Sequence, residues 1–170
     1  MKMIKCIAFQ LFVLCLASCT TIRATGLPDN YSGPRAELVD TIVYPESGGK
    51  LMIFAAESVD GRPISNAKLE TWSASRGQRS TILPMGKRRE VPAQRLRVRL
   101  VGSHITAMPV QEIASRMAGT FFEVTGEVDF EPTPGKSYRV MGELAAGGSS
   151  VWIESEDDSQ VVTEKVRSSR

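Results

Sequence analysis

Apolar and polar residues alternate with a period of two through several segments of this chain. From Phe122 to Phe130 the even positions are Phe122, Val124, Gly126, Val128 and Phe130, while Glu123, Thr125, Glu127 and Asp129 take the odd ones. From Lys136 to Leu144 the even positions again carry the apolar or small residues, Tyr138, Val140, Gly142 and Leu144, with Arg139 and Glu143 opposite. Successive side chains of a strand point to opposite faces, so each run predicts a strand with one face on a core and one in water. The segment between them, Glu131-Pro132-Thr133-Pro134-Gly135, holds two prolines and a glycine, and the pair reads as a hairpin. Leu96, Val98 and Leu100 repeat the pattern, with Arg95, Arg97 and Arg99 opposite. Further strands are predicted at about 36–44, 50–58, 151–154 and 160–166, with Asp60-Gly61-Arg62-Pro63 as a turn after the second.

One segment departs from this habit. Val110, Ile113, Ala114 and Met117 fall at i, i+3, i+4 and i+7, with Pro109 at the start and Gly119 just past the end, which predicts a short amphipathic helix over 109–118. About seven short strands, antiparallel hairpins and this one helix predict an all-β fold, an antiparallel β-sandwich of immunoglobulin- or transthyretin-like kind. A small closed barrel satisfies the same alternation, which does not fix closure.

The N-terminus follows a different logic. Lys2 and Lys5 precede an apolar stretch, residues 6–16 (CIAFQLFVLCL), broken only by Gln10, and then come the small residues Ala17 and Ser18. That is the layout of an export signal. The run is about half the roughly 20 apolar residues a membrane-spanning helix needs. The predicted organisation is a signal peptide at 1–18, a tether at 19–34 rich in Thr, Gly, Pro, Asp and Asn, a β-sandwich domain at 35–166 and a polar tail at 167–170.

Charge and cysteine count sharpen this. The whole chain has 21 Lys+Arg against 19 Asp+Glu, and both excess positives are Lys2 and Lys5, so the part after residue 18 is balanced. A neutral body argues against a nucleic-acid binder, whose domain is usually strongly basic. All three cysteines, Cys6, Cys15 and Cys19, lie in the first 19 residues. The body therefore carries no disulfide, thiol nucleophile or thiolate metal site.

Leu16-Ala17-Ser18-Cys19 resembles a bacterial lipobox, in which a leucine and two small residues precede a cysteine. The resemblance implies diacylglycerol on the Cys19 sulfur, cleavage before Cys19 and acylation of its new amino group. Several acyl chains on one residue suffice for stable membrane attachment. Position 20 is Thr rather than the aspartate associated with inner-membrane retention in enteric bacteria. That implies the periplasmic face of the outer membrane of a Gram-negative cell. Phe130-x-Pro132-x-Pro134-Gly135-Lys136-x-Tyr138-x-Val140 resembles a pattern of small uncharacterised proteobacterial β-sandwich lipoproteins, over about a fifth of the chain. It implies the fold and no definite activity.

The candidate chemistries are few. His104 is the only histidine, no G-x-S-x-G occurs, and His104 reads as a solvated loop residue. Gly135-Lys136-Ser137 ends like a P-loop, but Phe130 stands where the first glycine belongs and a strand follows instead of a helix. The acidic run Glu154-Ser-Glu156-Asp157-Asp158 lacks the alternation and central glycine of a calcium loop and reads as a solvated turn. Trp72 reads as a tryptophan closing the edge of the core. No catalytic residue, metal site or cofactor is predicted.

Positive charge is the remaining feature. Arg76, Arg79, Lys87, Arg88 and Arg89 precede Arg95, Arg97 and Arg99, which share one sheet face at roughly 6.5–7 Å spacing along the strand. That row is the candidate anionic-contact face, fitted to phosphate or carboxylate groups of an envelope polymer or an acidic partner protein. The balanced charge favours the plainer reading, a solvated face whose arginines pair across strands with Glu123, Glu127 or Glu143. The expected function is a non-catalytic binding or assembly module held to the membrane by its lipid. The runner-up is an envelope hydrolase working through carboxylates on glycan or peptide.

Overall fold

The computed structural model describes residues 25–44, 50–78 and 81–168, and among these it has ten strands and two helices. The signal segment, the lipobox with Cys19 and Arg79 lie outside the described residues. The strands are β1 (Arg35–Val39), β2 (Thr41–Val43), β3 (Leu51–Val59), β4 (Arg62–Pro63), β5 (Arg88–Pro92), β6 (Leu96–Ile105), β7 (Glu123–Phe130), β8 (Ser137–Glu143), β9 (Ser150–Ser155) and β10 (Val166–Arg167). The helices are α1 (Ala67–Ser75) and α2 (Pro109–Met117). The protein is β-rich, with one sheet in the order β10-β9-β8-β1-β5 and another in the order β2-β3-β6-β7, to which β4 adds through β3.

The alternation predicts faces well because it reports what each residue points at. Phe54, Val98, Leu100, Val124, Val128 and Phe130 of one sheet and Leu38, Val91, Tyr138, Val140, Val151 and Ile153 of the other form one buried cluster. Each inward residue is apolar because burial stabilises by roughly 25 cal/mol per Å² of apolar surface removed from water. Two glycines make room in that cluster. A Cβ at Gly102 of β6 would stand 2.9 Å from the Phe54 ring, and one at Gly142 of β8 would overlap the same ring. Phe54 thus fills a slot between a glycine of each sheet.

Alternation does not report which strand lies beside which, and there the expectation of a hairpin fails. β7 pairs with β6, whereas β8 pairs with β1 and β9, so residues 131–136 cross from one sheet to the other. Phe130 and Tyr138 meet across the core edge to face at 5.0 Å, and the Tyr138 hydroxyl accepts from Thr133 N–H at 2.9 Å, which seats the crossing. The β1–β8 pair is parallel, so the fold is not wholly antiparallel. The strand predicted at 36–44 is two strands in different sheets, divided at Asp40. Near 160–166 only an isolated bridge at Val161 and the start of β10 are strand-like.

The strands at 50–58 and 151–154 match β3 and β9, while of the turn predicted at Asp60-Gly61-Arg62-Pro63 the first two residues form the β3–β4 turn and the last two are β4. Asp60 and Gly61 both take positive φ, 48° and 74°, as a tight two-residue hairpin turn requires. Two elements escaped the reading. β5 hides in the charged run Arg88-Arg89-Glu90, since an edge strand tolerates charge and a terminal proline. Helix α1 lacks an apolar stripe: its buried residues are the small Ala67 and Thr71. Its start is marked by Asn66, whose side chain accepts from Leu69 N–H at 3.1 Å. Ala67 joins Ile53, Ala55, Val101 and Ile105 in a second apolar cluster on the outer side of β3 and β6.

At the corner between the sheets sits Asp40, 5% exposed. Its carboxylate accepts from Ala56 N–H of β3 at 3.1 Å, from Ala67 N–H at the first position of α1 at 2.8 Å, and from the Arg89 guanidinium of β5. One buried charge therefore ties together both sheets and a helix N-terminus.

Candidate functional site

Arg97 and Arg99 lie on the outer face of β6 and Arg95 precedes the strand; all three project to solvent as the alternation requires. Each has an acidic neighbour. Arg95 donates to Asp129 at 2.6 Å, Arg97 lies 3.7 Å from Glu127, and Arg99 lies 3.4 Å from Glu57. The first two acids belong to β7 and the third to β3, so the row is laced diagonally to both neighbouring strands. The Arg95 guanidinium holds the Asp129 carboxyl below the usual carboxylate range. A recess of about 310 Å³ beside Arg97 is lined by Glu127, Val128, Asp129 and Glu164. The face is a stripe of alternating charge, and exposed pairs of this kind are each worth about 0–1 kcal/mol.

The upstream cations scatter. Arg76 stacks over Trp72 at 4.0 Å, Lys87 pairs with Glu70 at 3.2 Å, and Arg88 reaches Glu37 at 2.6 Å and Glu156 at 3.2 Å. Arg89, read as part of the same basic run, is buried against Asp40. Trp72 lies on α1 and is 58% exposed, so it does not close the core.

The acidic run is likewise divided among partners. Glu154 is buried, accepting from Arg139 at 2.7 Å and from the Trp152 indole at 2.9 Å, over whose ring Lys165 sits at 3.8 Å. Asp157 pairs with Lys136 at 2.7 Å, and Asp158 accepts from Gln160 N–H at 3.1 Å. Among the described residues no group of three His, Cys, Asp or Glu side chains is placed to hold a metal ion.

His104 is not a solvated loop residue. It belongs to β6, is half-buried, and its Nδ1 accepts from Phe122 N–H at 3.1 Å. Its ring packs against those of Phe121 and Phe122 at 5.8 and 5.6 Å.

Helix α2 forms where the sequence predicts it, with Pro109 in its first turn and Gly119 beyond its end at φ 65°. Its apolar stripe, however, faces solvent: Val110 is 62% exposed, Ile113 59% and Met117 85%. Periodicity shows that a helix has an apolar face but not what covers it. Arg116 anchors the helix by pairing with Glu112 and Glu123 and by lying over Phe121 at 3.9 Å. Among the described residues no helix is long and apolar enough to cross a membrane. Comparison with known proteins finds no matching family model, curated protein or solved structure.

Proposed function

We propose that this protein is a lipid-anchored lipoprotein of the cell envelope that acts as a non-catalytic binding or assembly module on the periplasmic side of the outer membrane. The anchoring half rests on Lys2 and Lys5, the apolar run at 6–16 and Leu16-Ala17-Ser18-Cys19. The observation that carries the contact half is the outward stripe Val110, Ile113 and Met117 of α2. Water-facing apolar side chains grouped on one helix face are the material of contact surfaces. Lipid attachment confines such a face to a surface and raises its effective concentration for neighbours there.

The two sheets around one shared core support a β-sandwich, with the parallel β1–β8 pair as its departure from a purely antiparallel design. The row Arg95, Arg97 and Arg99 is the second contact surface on this reading, suited to a partner that exchanges its own carboxylates or phosphates for Asp129, Glu127 and Glu57.

The test is photo-crosslinking in cells from a reactive residue at position 117, repeated from position 97, with mass spectrometry of the products. Capture of one envelope protein from position 117, abolished by Ile113→Asp, is the expected result. Capture from position 97 alone, lost when the three arginines become serine, moves the contact face to β6. No discrete product from either position overturns the assembly reading and leaves the envelope hydrolase as the reading to assay.

A further inference from the structure

The connection from β6 to β7, residues 106–122, carries α2 out and back, and its return meets His104 at Phe122. The His104 Nδ1 accepts from Phe122 N–H at 3.1 Å, while His104 N–H donates to the Phe122 carbonyl at 3.3 Å. Lys50, just before β3, donates from Nζ to the Thr120 carbonyl at 2.7 Å and to its hydroxyl at 2.8 Å. Beyond these, the rings of Phe121 and Phe122 pack against the imidazole, and Arg116 of α2 lies over Phe121 and pairs with Glu123.

We propose that His104 is a pH-sensitive latch: its neutral ring holds Phe122, and its protonated ring releases the returning end of the α2 connection. The chemistry is direct. A neutral imidazole that accepts at Nδ1 carries its proton on Nε2. A second proton can go only to Nδ1, which turns the acceptor into a donor facing the Phe122 N–H donor. The ring or the backbone must then move, and Phe122 N–H loses its partner. The charged groups around the ring act in the same sense. Burial, and after it the repulsion of the imidazolium by Lys50, hold the pKa of His104 below the ordinary histidine value. Glu123 does not compensate: by strand alternation it lies on the other face of β7, with Lys68 and Arg116 as its partners.

The sign follows from that depressed pKa. The folded state favours the neutral ring, so the latch is fully closed above the ordinary histidine range and opens as pH falls through the lowered pKa. Because His104 is the only histidine, an imidazole signal in the protein belongs to it.

The experiment is a pH titration of the isotope-labelled protein by NMR, reading the two ring nitrogens of His104 and the amide exchange of Phe122. The neutral ring is expected to carry its proton on Nε2. Phe122 protection, corrected for intrinsic exchange, is expected to fall about tenfold, the loss of one hydrogen bond, with the midpoint of the His104 titration. Val98, at the other end of β6, is expected to stay protected throughout, and His104→Gln to remove the step at Phe122. Unchanged Phe122 protection across the His104 midpoint overturns the latch, as does a neutral ring protonated on Nδ1. The wild-type titration decides the matter even if the Gln variant fails to fold.

Discussion

Replacing Phe54 with Ala is expected to cost about 3–5 kcal/mol of folding free energy and to lower the melting temperature by roughly 6–20 °C. Phe54 is 1% exposed and sits between Gly102 of β6 and Gly142 of β8, so its removal opens a cavity at the seam of the two sheets. That seam has backbone on both sides and collapses poorly, which puts the cost toward the upper end of the range. The same slot predicts coupling with its walls. Gly102→Ala places a methyl 2.9 Å from the Phe54 ring and 3.1 Å from Val124, and is expected to cost about 1–3 kcal/mol in the wild-type background. In a Phe54→Leu background its cost is expected to shrink, because the clashing ring is gone. Denaturant unfolding of the four proteins measures this. Strict additivity would show that the two residues do not share a slot.

The second large effect belongs to Asp40. Asp40→Ala is expected to lose about 3–5 kcal/mol, because it strands a buried guanidinium and leaves Ala56 N–H and Ala67 N–H without an acceptor. Arg89→Met is expected to cost less. Two of the guanidinium nitrogens, Nε and Nη1, are buried without a hydrogen-bond partner, and the substitution removes them. Burial already pushes the Asp40 carboxyl up against the pull of Arg89 and the two backbone donors. Without Arg89 it can therefore take a proton and stay buried as a neutral acceptor. Equal losses in the two variants would mean that the ion pair itself, rather than the backbone bonds to Asp40, holds the corner.

These residues also mark how far the sequence could be read. The strands near 96–100, 122–130 and 136–144 were legible because each has one wetter and one dry face, and a period of two records that directly. Their pairing was not. Phe130 and Tyr138 point at the same core whether their strands lie side by side or face each other across it, and the two prolines between them suit either connection. Asp40 left a faint trace: an acid interrupts Ala36-Glu-Leu-Val39 and Thr41-Ile-Val43, at the point where the chain changes sheets. A break in alternation inside an apolar run is a signal for such a corner. Helix α1 left less, since its buried face is made of Ala67 and Thr71, residues too small to form a stripe.

The candidate face was legible in position, and of the partners expected for it, Glu123, Glu127 and Glu143, the structure pairs only Glu127 with the row. Alternation placed Arg97 and Arg99 together on the water side, and the structure puts Glu57, Glu127 and Asp129 within reach of the row. Sequence spacing cannot choose among the acids, because the pairs join residues 30 or more positions apart and depend on strand register. Helix α2 is the converse case. Its element and its apolar stripe were both legible, and its exposure was not, because periodicity assumes that an apolar face meets the core of its own chain. His104 shows a third limit: a lone histidine among polar residues reads as solvated, and only the fold brings Phe122 N–H to its ring.

Intact-mass and N-terminal peptide analysis of the protein extracted from cell membranes, beside Cys19→Ser, tests the lipid anchor directly. The expected protein begins at Cys19 and carries three acyl chains on it, while the Ser variant is unacylated and leaves the membrane fraction. A wild-type protein that begins elsewhere, or that begins at Cys19 with a free amino group and an unmodified sulfur, would contradict the account.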